Sequence, residues 1–222
     1  MKERDFMACL PNGIRRMLDG CDKKRITLGR GENAVYRCEN GLYLKCGTGV
    51  ESLKREKERL LWLENRLRVP RVVAFEESSA KDETSSPAAF LLTEALDGAP
   101  LCDERFLKEP KRLISSLAEA ISEVHSIGIG DCPFTAERIP QAVDSDSVFC
   151  HGDFCLPNIV YDNGRLGYLD LGDAGVGDRW LDYAWCLWSL GYNLKTDTYR
   201  NDLLHALGID FDSEKYRRYT EE

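Results

Sequence analysis

His151-Gly152-Asp153-Phe154-Cys155-Leu156-Pro157-Asn158, with Tyr168-Leu169-Asp170-Leu171-Gly172 following ten residues on, is the stretch that decides the fold. It sets two carboxylates and a carboxamide within eighteen residues. Between them, two short apolar runs at 159–161 and 166–169 flank Asn163-Gly164, a dipeptide that closes tight hairpins because both residues accept positive φ. Such a hairpin brings Asn158 and Asp170 to the same end of a sheet, pointing at one ion. Phosphoryl transfer asks for that provision: hard oxygen ligands for a divalent cation and a carboxylate that orients the attacking hydroxyl. Alone, a His-Gly-Asp would be a loop with solvated acids and a capping asparagine.

On the N-terminal side the chain reads as a small sheet, with strands at 26–29, 34–39 and 42–46 and an Asn40-Gly41 turn between the last two. From 50 to 67 the apolar Leu53, Leu60, Leu61, Leu63 and Leu67 recur at helical spacing among charges, and Pro70 follows them. Strands are expected again at 72–75 and 88–93, around a polar loop at 76–87. After Leu96-Asp97-Gly98 the pattern turns helical, beginning at Pro110 and running to His125. The region from about 178 to 219 is helical by pattern. The expected division is therefore residues 1–95 and 96–222, a first lobe of antiparallel sheet with one main helix and a second, mostly helical lobe.

Charge is divided along the same line. Residues 1–75 carry 17 Lys+Arg against 10 Asp+Glu, and residues 76–222 carry 13 against 28, within a net charge of -8. A basic lobe suits nucleotide phosphates and an acidic one suits magnesium or a cationic partner, although two solvated surfaces of opposite sign would give the same count. The charged beginning, MKERDFMACL, is unlike a signal peptide, and no apolar run reaches membrane-spanning length, so a cytoplasmic protein is expected. Nothing points to nucleic acid. The nine cysteines show no CxxC pair, which argues against a disulfide framework. Cys150, His151, Asp153 and Cys155 are too crowded in sequence to wrap a tetrahedral zinc easily.

HGDxCLPN followed by a DLG strand end resembles the aminoglycoside 3′-phosphotransferases, a branch of the protein-kinase-like superfamily. Tyr43-Leu44-Lys45, Arg55-Glu56-Lys57, Val69-Pro70-Arg71-Val72, His125-Ser126, Asp131-Cys132-Pro133 and Asp182-Tyr183-Ala184 extend the resemblance over most of the chain. It implies an α+β, bilobal kinase-like fold, with ATP and magnesium as cofactors and a hydroxylated, cationic small molecule as acceptor. Residue by residue, it implies Asp153 as the catalytic aspartate, Lys45 on the α- and β-phosphates, Glu56 pairing with that lysine, and Asn158 and Asp170 on magnesium. The backbone from Glu94 to Leu96 would hold adenine, and the loop containing Gly29 and Gly31 would cover the phosphates. A lysine buried on a central strand needs a carboxylate partner in any case. His125 and His151 are read as structural, Asp182 as a buried brace accepting backbone amides, and Trp180, Trp185 and Trp188 as core.

The departures concern the acceptor. The segment from 134 to 150 is shorter than the family's, the acidic C-terminal segment is curtailed at Glu221-Glu222, Asp173 stands where a basic residue is usual, and Tyr192-Asn193 stand where acids are usual. Gly31 stands where a hydroxyl side chain is common. Asp173, Glu221 and Glu222 are the acidic groups expected to face the acceptor. The leading expectation is transfer of the γ-phosphate of ATP to an aminoglycoside hydroxyl. Alternatives are a kinase for another small hydroxylated molecule, or an inactive nucleotide-binding relative, against which the retention of Lys45, Glu56, Asp153, Asn158 and Asp170 speaks.

Overall fold

A computed structural model describes residues 9–26, 33–78, 87–136 and 147–221. The chain divides into two compact units, one formed by 1–65 with 69–96 and the other by 66–68 with 97–222.

The first unit is a five-stranded antiparallel sheet in the order β1-β2-β3-β5-β4, from β1 (Lys23–Ile26), β2 (Ala34–Cys38), β3 (Leu42–Gly47), β4 (Val72–Ser78) and β5 (Ala88–Glu94). Strand alternation sorts its side chains onto two faces. Ala34, Tyr36, Cys38, Leu44, Cys46, Ala88, Phe90 and Leu92 form one buried layer with Leu10, Ile14 and Leu18 around helix α1 (Asn12–Met17). The amide of Ile14 donates to Glu76 Oε1 on β4 at 2.9 Å, anchoring this short helix to the sheet. Helix α2 (Val50–Leu63) packs against β3, β4 and β5, burying Leu53, Leu60 and Leu63. It stops four residues short of the expected 67, and Leu67 is buried outside the helix. The turn between β2 and β3 is closed by Gly41 at φ +77, with its amide donating to Cys38 O.

The second unit is built around α4 (Pro110–His125) and α5 (Trp180–Leu194), with the short helix α3 (Glu104–Leu107) before them and α6 (Arg200–Leu207) and α7 (Ser213–Thr220) after them. Pro110 stands in the first turn of α4, and Leu113, Leu117, Ala120, Ile121 and Val124 make its buried stripe. Asp212 caps α7, accepting from the amides of Glu214 and Lys215 at 3.0 Å each. A three-stranded sheet runs β6 (Ala99–Pro100), β8 (Ile159–Asp162), β9 (Arg165–Tyr168), and β7 (Ser147–Cys150) pairs antiparallel with β10 (Gly175–Asp178). Asn163 and Gly164 join β8 to β9 with φ +48 and +88, a two-residue hairpin of the primed type. Tyr168 fastens β9 to α4, its hydroxyl donating to Glu123 Oε2 at 2.6 Å, and burial drives its pKa up.

Asp178 ends a strand, not the start of a helix, because the register Gly175↔Cys150 to Asp178↔Ser147 claims it for β10. Trp188 is no core residue: it is 37% exposed and stacked on Tyr192, one helical turn on, at 5.1 Å between ring centroids. No described helix is long and apolar enough to cross a membrane.

Candidate active site

In the first unit a charged pair lies between apolar layers. On β3, Leu44 and Cys46 face the α1 layer, so the intervening Lys45 emerges on the α2 side. Glu56 sits on the buried stripe of α2 with Leu53, Leu60 and Leu63. Lys45 Nζ reaches both carboxylate oxygens of Glu56, at 2.7 and 2.8 Å. With side chains 20% and 10% exposed, neither group would be well solvated without the other.

The second unit builds a rigid loop at the end of β7. Asp182 of α5 is fully buried and accepts from the amides of His151 at 2.9 Å and Gly152 at 3.0 Å. Its Oδ2 also lies 3.1 Å from His125 Nε2 at the end of α4. Seven residues further along α5, Ser189 Oγ accepts from the amide of Leu156 at 3.0 Å. Residues seven apart share a helix face about 10 Å in length. One face of α5 therefore grips the loop on both sides of Asp153.

Gly152 is required in this loop twice over. Its φ is +87, and a Cβ there would lie 2.5 Å from the carbonyl oxygen of Asp173. The backbone of the Asp170–Leu171–Gly172–Asp173 segment thus abuts the residue before Asp153. Burial and the nearby carboxylates of Asp182 and Asp178 raise the pKa of the Cys150 thiol, which donates to Asp178 O at 3.4 Å.

Asp153 is held at both carboxylate oxygens. Asn158 Nδ2 donates to Oδ2 at 3.0 Å and to the Asp153 backbone oxygen at 3.0 Å, and the Cys155 thiol donates to Oδ1 at 3.3 Å. These bonds commit the Asn158 side-chain nitrogen, and its oxygen is the atom a cation would use. The amide of Leu169 donates to Asn158 O at 2.8 Å, which seats Asp170 beside the loop in a left-handed conformation, φ +58. A carboxylate and a carboxamide oxygen at one strand end form a donor set that fits a magnesium ion. Cys150, His151, Asp153 and Cys155 are not gathered into one close group of potential ligands. Among the described residues, the group of such side chains within 4.8 Å of one another is His125, Cys150 and Asp182, and their hydrogen bonds already employ them.

Other expected residues are placed as follows. Glu94 ends β5 and its carboxylate pairs with Arg71 at the surface, which holds its pKa down. The amides of Glu94 and Ala95 donate to Arg71 O and Gly41 O, each at 2.9 Å, so these two amides of the backbone expected to hold adenine are employed within the unit. Leu96 follows them as the last residue of the unit. Asp173 is half-buried against Gly152, whereas Glu221 is exposed after α7. Gly29, Gly31 and Glu222 lie outside the described residues. The sequence reading gave no role to the Cys155 thiol and did not join His125 to Asp182.

Comparison with known proteins places this arrangement in a class. The aminoglycoside phosphotransferase APH(3'')-Id from Streptomyces rimosus superposes with a TM-score of 0.77 at 20% identity, covering 99% of this chain and 97% of that one. Its complex with ADP and streptomycin gives 0.75 at 22% identity, covering 99% and 97%. The fold is that of the protein-kinase-like phosphotransferases. In sequence, the aminoglycoside 3'-phosphotransferase of Enterococcus faecalis is 30% identical, over 86% of this chain and 84% of the relative. The model of the phosphotransferase enzyme family matches residues 29–142 and 136–219, and the chain belongs to that family.

Proposed function

We propose that this chain is an ATP-dependent phosphotransferase that moves the γ-phosphate to a hydroxyl of an aminoglycoside, in the manner of a 3′-phosphotransferase. The observation that carries the reading is the Asp153 carboxylate, fixed at one oxygen by Asn158 on a loop clamped by α5. A carboxylate so held accepts the acceptor hydroxyl's proton and aligns its oxygen for attack, which is most of what a protein contributes to phosphoryl transfer. Similarity to aminoglycoside 3'-phosphotransferases supplies the acceptor class.

Residues 1–95 act as the nucleotide-binding lobe and residues 96–222 as the catalytic and acceptor lobe, in the cytoplasm. Lys45, oriented by Glu56, binds the α- and β-phosphates. Adenine is bound by the hinge backbone, through the Glu94 carbonyl and the Leu96 amide, since the Glu94 and Ala95 amides serve the sheet. Asn158 and Asp170 hold magnesium, which when bound neutralises charge on the phosphates. Gly29 and Gly31 would let backbone amides approach the phosphates. Asp173, with Glu221 and Glu222, would offer negative charge to a cationic acceptor.

The test is ADP formation driven by a panel of aminoglycosides, with and without magnesium, in wild type and Asp170→Ala. Aminoglycoside-dependent, magnesium-dependent turnover that collapses in Asp170→Ala is expected. Good nucleotide binding with no turnover on the panel would favour a kinase for another hydroxylated molecule. Tyr192 and Asn193 favour that second reading, since Tyr192 stacks on Trp188 and Asn193 donates to Ser189 where acids would hold a polycation.

The ion pair makes its own prediction. Lys45→Ala should weaken nucleotide binding about tenfold or more, and Glu56→Ala should reproduce part of that loss, because the carboxylate only aims the ammonium. The double variant should lose less than the sum of the two, as interacting neighbours do. Nucleotide titrations that gave simple additivity would show that the two residues act independently.

A further inference from the structure

From the geometry around Asp153 we infer that Cys155 is a positioning residue for the transfer, its thiol holding the plane of the catalytic carboxylate. The inference rests on the role proposed for Asp153. A carboxylate joined to the chain by two rotatable bonds can swing about χ2, and a hydrogen bond at one oxygen alone leaves part of that freedom. Here the two oxygens are tied from different sides: Asn158 Nδ2 takes Oδ2 at 3.0 Å, and the Cys155 Sγ takes Oδ1 at 3.3 Å. The second tie comes from two residues along the same loop. It is made possible by a tight turn in which the Cys155 amide donates to the Asp153 carbonyl at 2.8 Å. That turn is itself fixed, because the next amide, of Leu156, is gripped by Ser189 at 3.0 Å.

The direction of the hydrogen bond follows from chemistry. A carboxylate only accepts, so the thiol is the donor and stays protonated while it acts. No bond to sulfur forms or breaks. The thiol sets where the Asp153 oxygen points when the hydroxyl arrives, and reacting atoms must be aligned within a narrow geometry for turnover to be efficient.

The discriminating experiment uses the whole chain in two arms. In the kinetic arm, Cys155→Ala should lower kcat by about tenfold, the scale of one hydrogen bond to a charged group, with KM for ATP and for the aminoglycoside within twofold of wild type. Cys155→Ser, which restores a donor, should recover most of kcat, and both variants should melt close to wild type. In the spectroscopic arm, the S–H stretching band of Cys155 is isolated as the infrared difference between wild type and Cys155→Ser. That band should move when Asp153 is replaced by alanine and the carboxylate acceptor is removed. An unmoved band would overturn the inference whatever the substrate, and so would an unchanged kcat in Cys155→Ala or a failure of serine to recover it. If wild type turned over no aminoglycoside, the proposed function would fall, while the infrared band would still decide whether the thiol holds the carboxylate.

Discussion

Replacing Asp153 by asparagine is expected to cut turnover by about a thousandfold or more while nucleotide affinity changes little. The substitution keeps the shape of the side chain and an oxygen for Asn158 to bind. It removes the capacity to take a proton from the acceptor hydroxyl, a contribution worth about 10²–10⁴-fold in comparable steps. The role proposed for Asp153 is toward the acceptor hydroxyl, whereas contact with the nucleotide is the role proposed for Lys45, which pairs with Glu56 in the first unit. Single-turnover measurements at saturating nucleotide check this. A variant retaining a tenth of wild-type turnover would remove Asp153 from the role proposed for it.

Asp182→Ala should be the most destabilising single change at the site, by about 3–5 kcal/mol in urea unfolding. The fully buried carboxylate satisfies the amides of His151 and Gly152 and the ring nitrogen of His125. Alanine leaves three polar groups without that acceptor in a space closed to bulk solvent. The loss should fall on the second unit, because the brace joins α4, α5 and the loop after β7, all within it. A cost below about 1 kcal/mol would mean that these amides find other partners, and that the loop does not depend on α5 for its shape.

Much of this site can be read from sequence because its determinants are local. Asn163-Gly164 dictates a two-residue hairpin through its two positive φ values, and the hairpin brings Asn158 and Asp170 to one sheet end. Pro110 marks the start of α4 because a helix tolerates proline in its first turn. The brace at Asp182 was also legible, as a carboxylate near several aromatic residues. What escaped depends on residues far apart in the chain. His125 and Asp182 are separated by 57 positions, and only the crossing of α4 and α5 joins them. β10 is four residues, two of them glycine, too short for an alternating pattern to emerge, and only its partner β7 defines it. Trp188 was misplaced because helical spacing gives a residue's neighbours on the helix and not the side from which solvent approaches.

The buried thiols give each unit its own gauge of opening. Desolvation pushes the Cys46 pKa up to about 12 in the first unit, and it raises those of Cys150 and Cys186 well above their ordinary value in the second. A thiol reacts as its thiolate, so these three stay inert toward alkylating agents until the surrounding layer parts and water enters. The rate at which each is labelled then measures the local opening free energy of its own unit in the intact chain. A nucleotide that steadies β3 would slow the labelling of Cys46, while an acceptor that steadies the loop after β7 would slow that of Cys150. Ligand binding in each unit can thus be followed by chemistry already present in the sequence.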